Sequence, residues 1–177
     1  MSPDPRILLL RGVNVGAHRK LPMADLREIL AGLGLVDVRT HIQSGNAVFR
    51  DPQGREELGT LISQAIGARF AFTPESLVLD LPAFETVLEA NPFAGEDPGK
   101  VSIGFLASPS TVSVDVLEEL AVGDERCALT PAAFYLHAPA GIGRSKLAAQ
   151  AERKLAVAMT VRNARVAQAI ATLAQEL

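Results

Sequence analysis

Short apolar runs cut by glycine and proline alternate with segments of helical period, and they do so twice in the same order. That recurrence constrains the fold more than any other feature of the chain. Residues 6–15 are an apolar run between Pro5 and Gly16, which predicts a buried strand. Pro22 suits the first turn of a helix, and Met23, Leu26, Ile29, Leu30 and Leu33 then recur at helical spacing until Gly34. Residues 36–42 and 47–49 read as two short strands joined by the turn signal Ser44-Gly45-Asn46. After the break at Asp51-Pro-Gln-Gly54, a second helix carries Leu58, Leu61, Ile62, Ala65 and Ile66 on one face, and residues 76–81 form a further strand.

The order strand-helix-strand-strand-helix-strand is that of the split βαβ, or ferredoxin-like, unit. A linking helix over 82–91 and the loop-rich stretch Asn91-Pro-Phe-Ala-Gly-Glu-Asp-Pro-Gly99 follow. The order then returns: strand 101–107, helix 114–121, hairpin 127–130 with 133–137, turn 141–144, helix 146–155, a short strand 157–160 and a helix over about 163–175. The two halves share the order of elements without a residue-level repeat. The expected architecture is α+β, with two packed ferredoxin-like lobes: 1–81, then 82–98 as linking helix and loop, then 99–177 with the terminal helix. Four-stranded units of this size cover only one sheet face with helices, so the lobes are expected to pack on each other.

Composition narrows the function classes. The chain has 177 residues, 48% of them apolar, and a net charge of −3. That balance argues against a broadly basic nucleic-acid surface while allowing a local basic patch. One Tyr, seven Phe and no Trp leave few stacking groups, and no aromatic RNA-binding strand signature is present. Met-Ser-Pro-Asp-Pro-Arg leads into four apolar residues, 7–10, too few for a signal peptide or membrane span, so a cytoplasmic protein is expected. The single cysteine, Cys127, excludes an intrachain disulfide and reads as a small core residue. His18, His41 and His137 lack metal-like spacing, so neither metal nor cofactor is expected.

The polar candidates cluster where strands end. Arg11, Asn14 and Lys20 flank the exit of the first strand, beside Gly12 and Gly16. An arginine fork and a mobile lysine suit a carboxylate or phosphate. Gln43, Ser44 and Asn46 surround Gly45 in the hairpin, where turn chemistry explains them equally well. The first and third strands are central in a split βαβ unit, and the end of the first is placed at the sheet end opposite the start of the third. Asn46 then reaches Arg11 only if the loop after Gly12 folds back over the sheet. Gly141-Ile-Gly-Arg-Ser-Lys146 opens a helix, with Ser145 as N-cap and Arg144 and Lys146 adding charge beside the first-turn amides, an arrangement that favours an anion. It is not a Walker A loop, because lysine follows serine. Thr160-Val-Arg162-Asn163 has the same design at the last helix, with Thr160 or Asn163 as cap.

Taken as a set, Leu10-Arg-Gly-Val-Asn-Val-Gly16, Ile42-Gln-Ser-Gly-Asn46, Gly141-Ile-Gly-Arg-Ser-Lys-Leu147 and Thr160-Val-Arg-Asn163 resemble the motifs of the DUF1697 family of small, mostly bacterial proteins of unknown function. The resemblance implies a shared fold and a site at these motifs, and it leaves the activity open. Two positions depart from the family pattern: Ala17 replaces a usual second glycine, and Ala164-Arg165-Val166 replaces a usual aromatic followed by Asn-Thr. The expected function is binding of, or action on, a phosphorylated or otherwise anionic small molecule such as a nucleotide. Arg11, Lys20, Arg144, Lys146 and Arg162 would neutralise it, and Asn14, Ser44, Asn46, Ser145 and Asn163 would orient it. The alternatives are single-stranded nucleic-acid binding, or a protein-interaction module whose motifs serve structure only. No membrane partner is expected.

Overall fold

The computed structural model describes residues 2–177, which fall into two compact units: residues 2–85 with 169–177, and residues 86–168. The first contains β1 (Pro5–Leu10), α1 (Met23–Gly32), β2 (Val36–His41), β3 (Asn46–Arg50), α2 (Leu58–Arg69) and β4 (Ser76–Asp80). Next come α3 (Leu81–Glu89), β5 (Val101–Leu106), α4 (Asp115–Glu118), β6 (Arg126–Leu129), β7 (Ala133–His137), α5 (Lys146–Leu155), β8 (Met159–Asn163) and α6 (Ala164–Gln175). The fold is mixed α+β with two separate four-stranded antiparallel sheets, ordered β2-β3-β1-β4 and β6-β7-β5-β8.

Strand alternation builds each core. Leu8, Leu10, Ala47 and Phe49 face α1 and α2, whose buried residues are Met23, Leu26, Ile29, Leu30, Leu58, Ile62 and Ile66. Leu61, expected on the buried face of α2, is 36% exposed, so the stripe is a narrow i, i+4 line. In the second sheet Leu106, Phe134, Leu136 and Met159 face Leu147, Ala151 and Leu155 of α5 and Leu117 of α4. Burying side chains such as these contributes about 1.5–3 kcal/mol each relative to exposure.

Several boundaries differ from the sequence expectation. The first strand stops at Leu10, not at 15. Gly12 (φ 67°) and Asn14 (φ 55°) take left-handed backbone in place of the extended conformation, and Val13 turns into the core as an isolated apolar residue. The expected helix 114–121 shrinks to Asp115–Glu118. The last strand runs Met159–Asn163, so Thr160-Val-Arg-Asn163 is itself a strand rather than a loop before a helix. Residues 169–177 group with the first unit, where Arg39 pairs with Glu176 (3.4 Å) and Gln175 donates to Glu85 (2.6 Å). Such charged and amide pairs leave no periodic trace in a sequence.

One buried polar knot ties the exit of β3 to the end of α1. Asp51 Oδ1 accepts from Gln53 N (3.1 Å) and Arg55 Nη2 (2.8 Å), and Oδ2 accepts from Arg55 N (2.8 Å). Arg55 Nη1 in turn donates to Leu33 O (2.9 Å). Burial pulls the Asp51 carboxyl upward, but the Arg55 and Gln53 hydrogen bonds and the Arg55 charge outweigh it, so the group lies below its ordinary value of 3.8. A depressed carboxyl contributes stability that is present above the unfolded-state value and lost as pH falls through the folded one. Asp51→Asn is therefore expected to cost roughly 1–3 kcal/mol at neutral pH. The difference from wild type should shrink below about pH 4, because protonation then removes the same charge. Urea unfolding across pH 3–7 measures this (the range follows the carboxylate titration), and a gap independent of pH would refute it.

Candidate functional site

The first polar cluster sits at one end of the first sheet. β1 and β3 are antiparallel, with Leu9 opposite Asn46, and Leu10 N–H donates to Gly45 O at 2.9 Å. The end of β1 therefore lies beside the start of β3, not at the opposite sheet end as the sequence reading placed it. A hairpin reverses the third strand relative to the second, which brings its start back to the end of the first. Asn14 completes the junction: Nδ2 donates to Leu21 O (2.8 Å) and Gln43 O (2.6 Å), and Oδ1 accepts from Leu21 N (2.8 Å). The loop after Gly12 is thus clasped to the hairpin turn.

These contacts show what the N-terminal candidates do locally. Arg11 pairs with Glu75 at 3.1 Å on a partly exposed surface. Asn46, wholly buried, donates to His41 O (3.1 Å) and Ser44 Oγ (2.8 Å), closing the turn from inside. Lys20 is exposed and makes no hydrogen bond or ion pair with any described residue. Gly45 is required twice over: its φ is 77°, and a Cβ there would stand 2.7 Å from both Leu10 Cβ and Val13 Cγ2.

The C-terminal candidates lie in the second unit. Ser145 is the N-cap of α5, its Oγ accepting from Ala148 N at 3.0 Å. Asn163 Oδ1 accepts from Val166 N (2.8 Å), so Asn163, not Thr160, caps α6, and its Nδ2 makes no hydrogen bond to a described residue. Arg162 and Asn163 line a cavity of about 400 Å³ together with Lys100, Ser102, Gly141 and Ile142. Burial lowers the Arg162 guanidinium to about 10, which leaves it cationic at neutral pH. Lys100 and Ser102 escaped the sequence reading, since neither stands in a motif; only the pairing of Ser102 with Asn163 across β5 and β8 places them at the cavity.

The Lys100 side chain is exposed and makes no ion pair or hydrogen bond to any described residue, and its Nζ stands 4.0 Å from where a Cβ on Gly141 would lie. Gly141 has φ 89° and ψ 158°, a conformation open to glycine almost alone. Arg144 and Ser145 line a second cavity, about 680 Å³, that shares Gly141 but carries Asp124 and Glu125 on its wall. Those carboxylates oppose an anion there. Lys146 is exposed and lines neither cavity.

The family model described as a protein of unknown function (DUF1697) matches residues 4–135, three quarters of the chain. The chain belongs to the DUF1697 family. The match covers the N-terminal motifs, whereas the cavity-lining residues 141–163 lie beyond it. No curated protein matches this DUF1697 chain. Among solved structures, that of the conserved bacterial protein SP0830 from Streptococcus pneumoniae is similar at 24% identity and a TM-score of 0.69. The alignment covers 97% of this chain and 98% of that one. At that identity the likeness shows the fold alone.

Burial, with Glu118 and Glu125 nearby, pushes the Cys127 thiol up to about 11, so it stays protonated and unreactive at neutral pH. Among the described residues no group of three His, Cys, Asp or Glu could hold a metal ion. No helix among them is long and apolar enough to cross a membrane.

The closure at Gly45 is testable. Gly45→Ala is expected to cost roughly 2–4 kcal/mol, combining left-handed strain with a clash against Leu10 and Val13. Gly54→Ala, with a similar φ of 60° and nothing within 4 Å of its added Cβ, carries the strain only. Denaturant midpoints of the two variants measure the difference, and equal losses would show that the close approach at Gly45 is unimportant.

Proposed function

We propose that this protein binds a phosphorylated or otherwise anionic small molecule, of which nucleotides are one class, in a basic pocket of its second unit. We further propose two ferredoxin-like lobes, 1–81 and 99–177, joined through 82–98; residues 169–177 of the second lobe group with the first unit. The sheet orders β2-β3-β1-β4 and β6-β7-β5-β8 support that reading of the scaffold, because a split βαβ unit sets its first and third strands at the centre.

One observation carries the binding proposal. In the 400 Å³ cavity, Lys100 Nζ, Ser102 Oγ and Asn163 Nδ2 are side-chain hydrogen-bond donors with no partner among the described residues. An ammonium held at a concave surface without a counter-ion is stabilised when an anion arrives, and hydroxyl and amide donors fix the orientation. Arg144 and Lys146, both exposed, follow Gly141 and Ile142 of the cavity wall within a few residues and add long-range positive potential. In this reading Ser145 supports the pocket as a helix cap, and Arg11, Asn14, Ser44 and Asn46 serve the first unit's loop closure, with Lys20 the remaining cation of that motif set.

The Asn14 and Asn46 hydrogen bonds favour a second reading for the N-terminal motifs, in which they are structural and the protein is an interaction module. Single-stranded nucleic acid is the weaker alternative, since Phe49 and Phe134 are in the cores of their own units and cannot stack on a base.

A thermal-shift and calorimetric panel of inorganic phosphate, AMP and small carboxylates tests the proposal, because a ligand that binds only the folded state raises the midpoint by mass action. Lys100→Ala is expected to weaken the binding anion by about tenfold or more, the scale of a charge-assisted hydrogen bond, with folding stability nearly unchanged. Lys146→Ala should weaken it far less. Absence of any anion-induced stabilisation, or an affinity indifferent to Lys100, would defeat the pocket.

A further inference from the structure

The polar cavity does not end at its donors. Ser102, Ile142 and Val161 are shared with a second, inner chamber of about 150 Å³ whose other walls are Gly104, Phe134, Leu136, Ala148 and Met159. The register explains the continuity. Ser102 lies opposite Leu136 and Asn163, and Gly104 opposite Phe134 and Val161, so all of these project to the helix-covered face of the second sheet. Protein interiors are close-packed, and an opening of this size in a core is an exception that needs a cause.

The cause is a helix that stands off its strand. In the first unit α2 packs closely along β4: a Cβ on Gly59 would stand 2.9 Å from Ser76 O, and Ser63 Oγ donates to Ser76 Oγ at 2.7 Å. The corresponding buried line of α5 is Leu147, Ala151 and Leu155, against Leu58, Ile62 and Ile66 of α2. Ala148 therefore stands where α2 has Gly59, and α5 makes no comparable approach to β8. The chamber is what remains between them. Met159 leans over Gly104, where a Cβ would lie 2.1 Å from its sulfur, so its flexible thioether rather than backbone forms the floor.

The chemistry of the two compartments differs. The outer one carries Lys100 and Asn163, whereas the inner one is apolar except for Ser102 Oγ at the junction. Water needs two to four polar partners to occupy a cavity, and apolar cavities of roughly this volume stay dry and admit a benzene-sized molecule. Ile142 and Val161, 49% and 41% exposed, stand at the junction as aliphatic side chains that an occupant would cover. A nucleobase would leave its ring nitrogens and exocyclic groups unpaired in such a chamber, at substantial cost.

We infer that the pocket takes an amphipathic anion: a carboxylate or phosphate head at Lys100, and an apolar body the size of one small ring or a short alkyl chain seated beneath Ile142 and Val161. This rests on the anion pocket proposed above and narrows its ligand class, against a nucleotide and toward a short-chain or aryl acid or phosphate ester.

Calorimetry and amide-resonance titrations with acetate, hexanoate, hexan-1-ol and inorganic phosphate separate the two claims. Hexanoate should bind about tenfold or more tightly than acetate, as burial of part of its longer chain requires. Ala148→Leu should fill the chamber and remove that advantage while leaving acetate or phosphate affinity unchanged. Val161→Trp, at an exposed edge-strand position, should block the same entry and serves if the helix variant does not fold. Lys100→Ala should weaken hexanoate by about tenfold and leave hexan-1-ol untouched. Phosphate binding that depends on Lys100, with acetate and hexanoate equal in affinity, would overturn the amphipathic ligand and leave the anion pocket standing. A hexanoate advantage that survives both chamber variants would also overturn it. If neither phosphate, acetate nor hexanoate binds, both readings fall.

Discussion

Leu10 donates its amide to Gly45 O at 2.9 Å, and the two residues approach so closely that position 45 tolerates no side chain. The first unit depends on that approach. It sets the register of β1 against β3, and with it which residues of both strands turn inward: Leu8, Leu10, Ala47 and Phe49. A slip of one residue would carry this whole set to the other face of the sheet. The loop that follows cannot continue the strand, because Gly12 and Asn14 turn left-handed, so its backbone polar groups need partners elsewhere. Asn14 supplies them by bridging Leu21 and Gln43, and Asn46 satisfies the turn from the buried side. Residues that look like a ligand site in sequence thus hold a junction together.

The second unit uses the same order of strands with a different outcome at its helices. Where α2 lies tight on β4 through Gly59, α5 carries Ala148 and stands away from β8, and α4 is a four-residue turn of helix where α1 has ten residues. The thinner cover leaves a cavity on the second sheet's inner face instead of a closed core. Lys100, just before β5, lines that cavity from the outer end, whereas Arg162, opposite Ile103, projects from the other face of the sheet. Glycines keep the space open, Gly141 beside the Lys100 ammonium and Gly104 beneath Met159.

The family match and the structural neighbour fit this division. The matched residues 4–135 include the N-terminal motifs, whose hydrogen bonds are architectural, and the similar fold of the Streptococcus pneumoniae protein persists at 24% identity. Architecture of this kind depends on a few backbone closures and on alternating burial, both of which tolerate extensive side-chain replacement.

Much of the scaffold was legible in the chain itself. Period-2 and period-3.6 apolar patterns, with glycine and proline as punctuation, determined the number and order of strands and helices, and helix-cap chemistry determined Ser145. Those signals are local, arising from residues within a few positions of one another. Where the first strand ended was not legible, because Val13 and Val15 continue its apolar pattern while the backbone has already turned; only the hairpin packing against Leu10 decides that. Nor could the sequence show that Asn14 reaches Gln43, that residues 169–177 group with the first unit, or that Lys100 and Ser102 share a cavity with Arg162 and Asn163. Each is a meeting of residues tens of positions apart, created by sheet register and by how far a helix stands from its strand. Such distances are properties of packing, and no run of neighbouring residues encodes them alone.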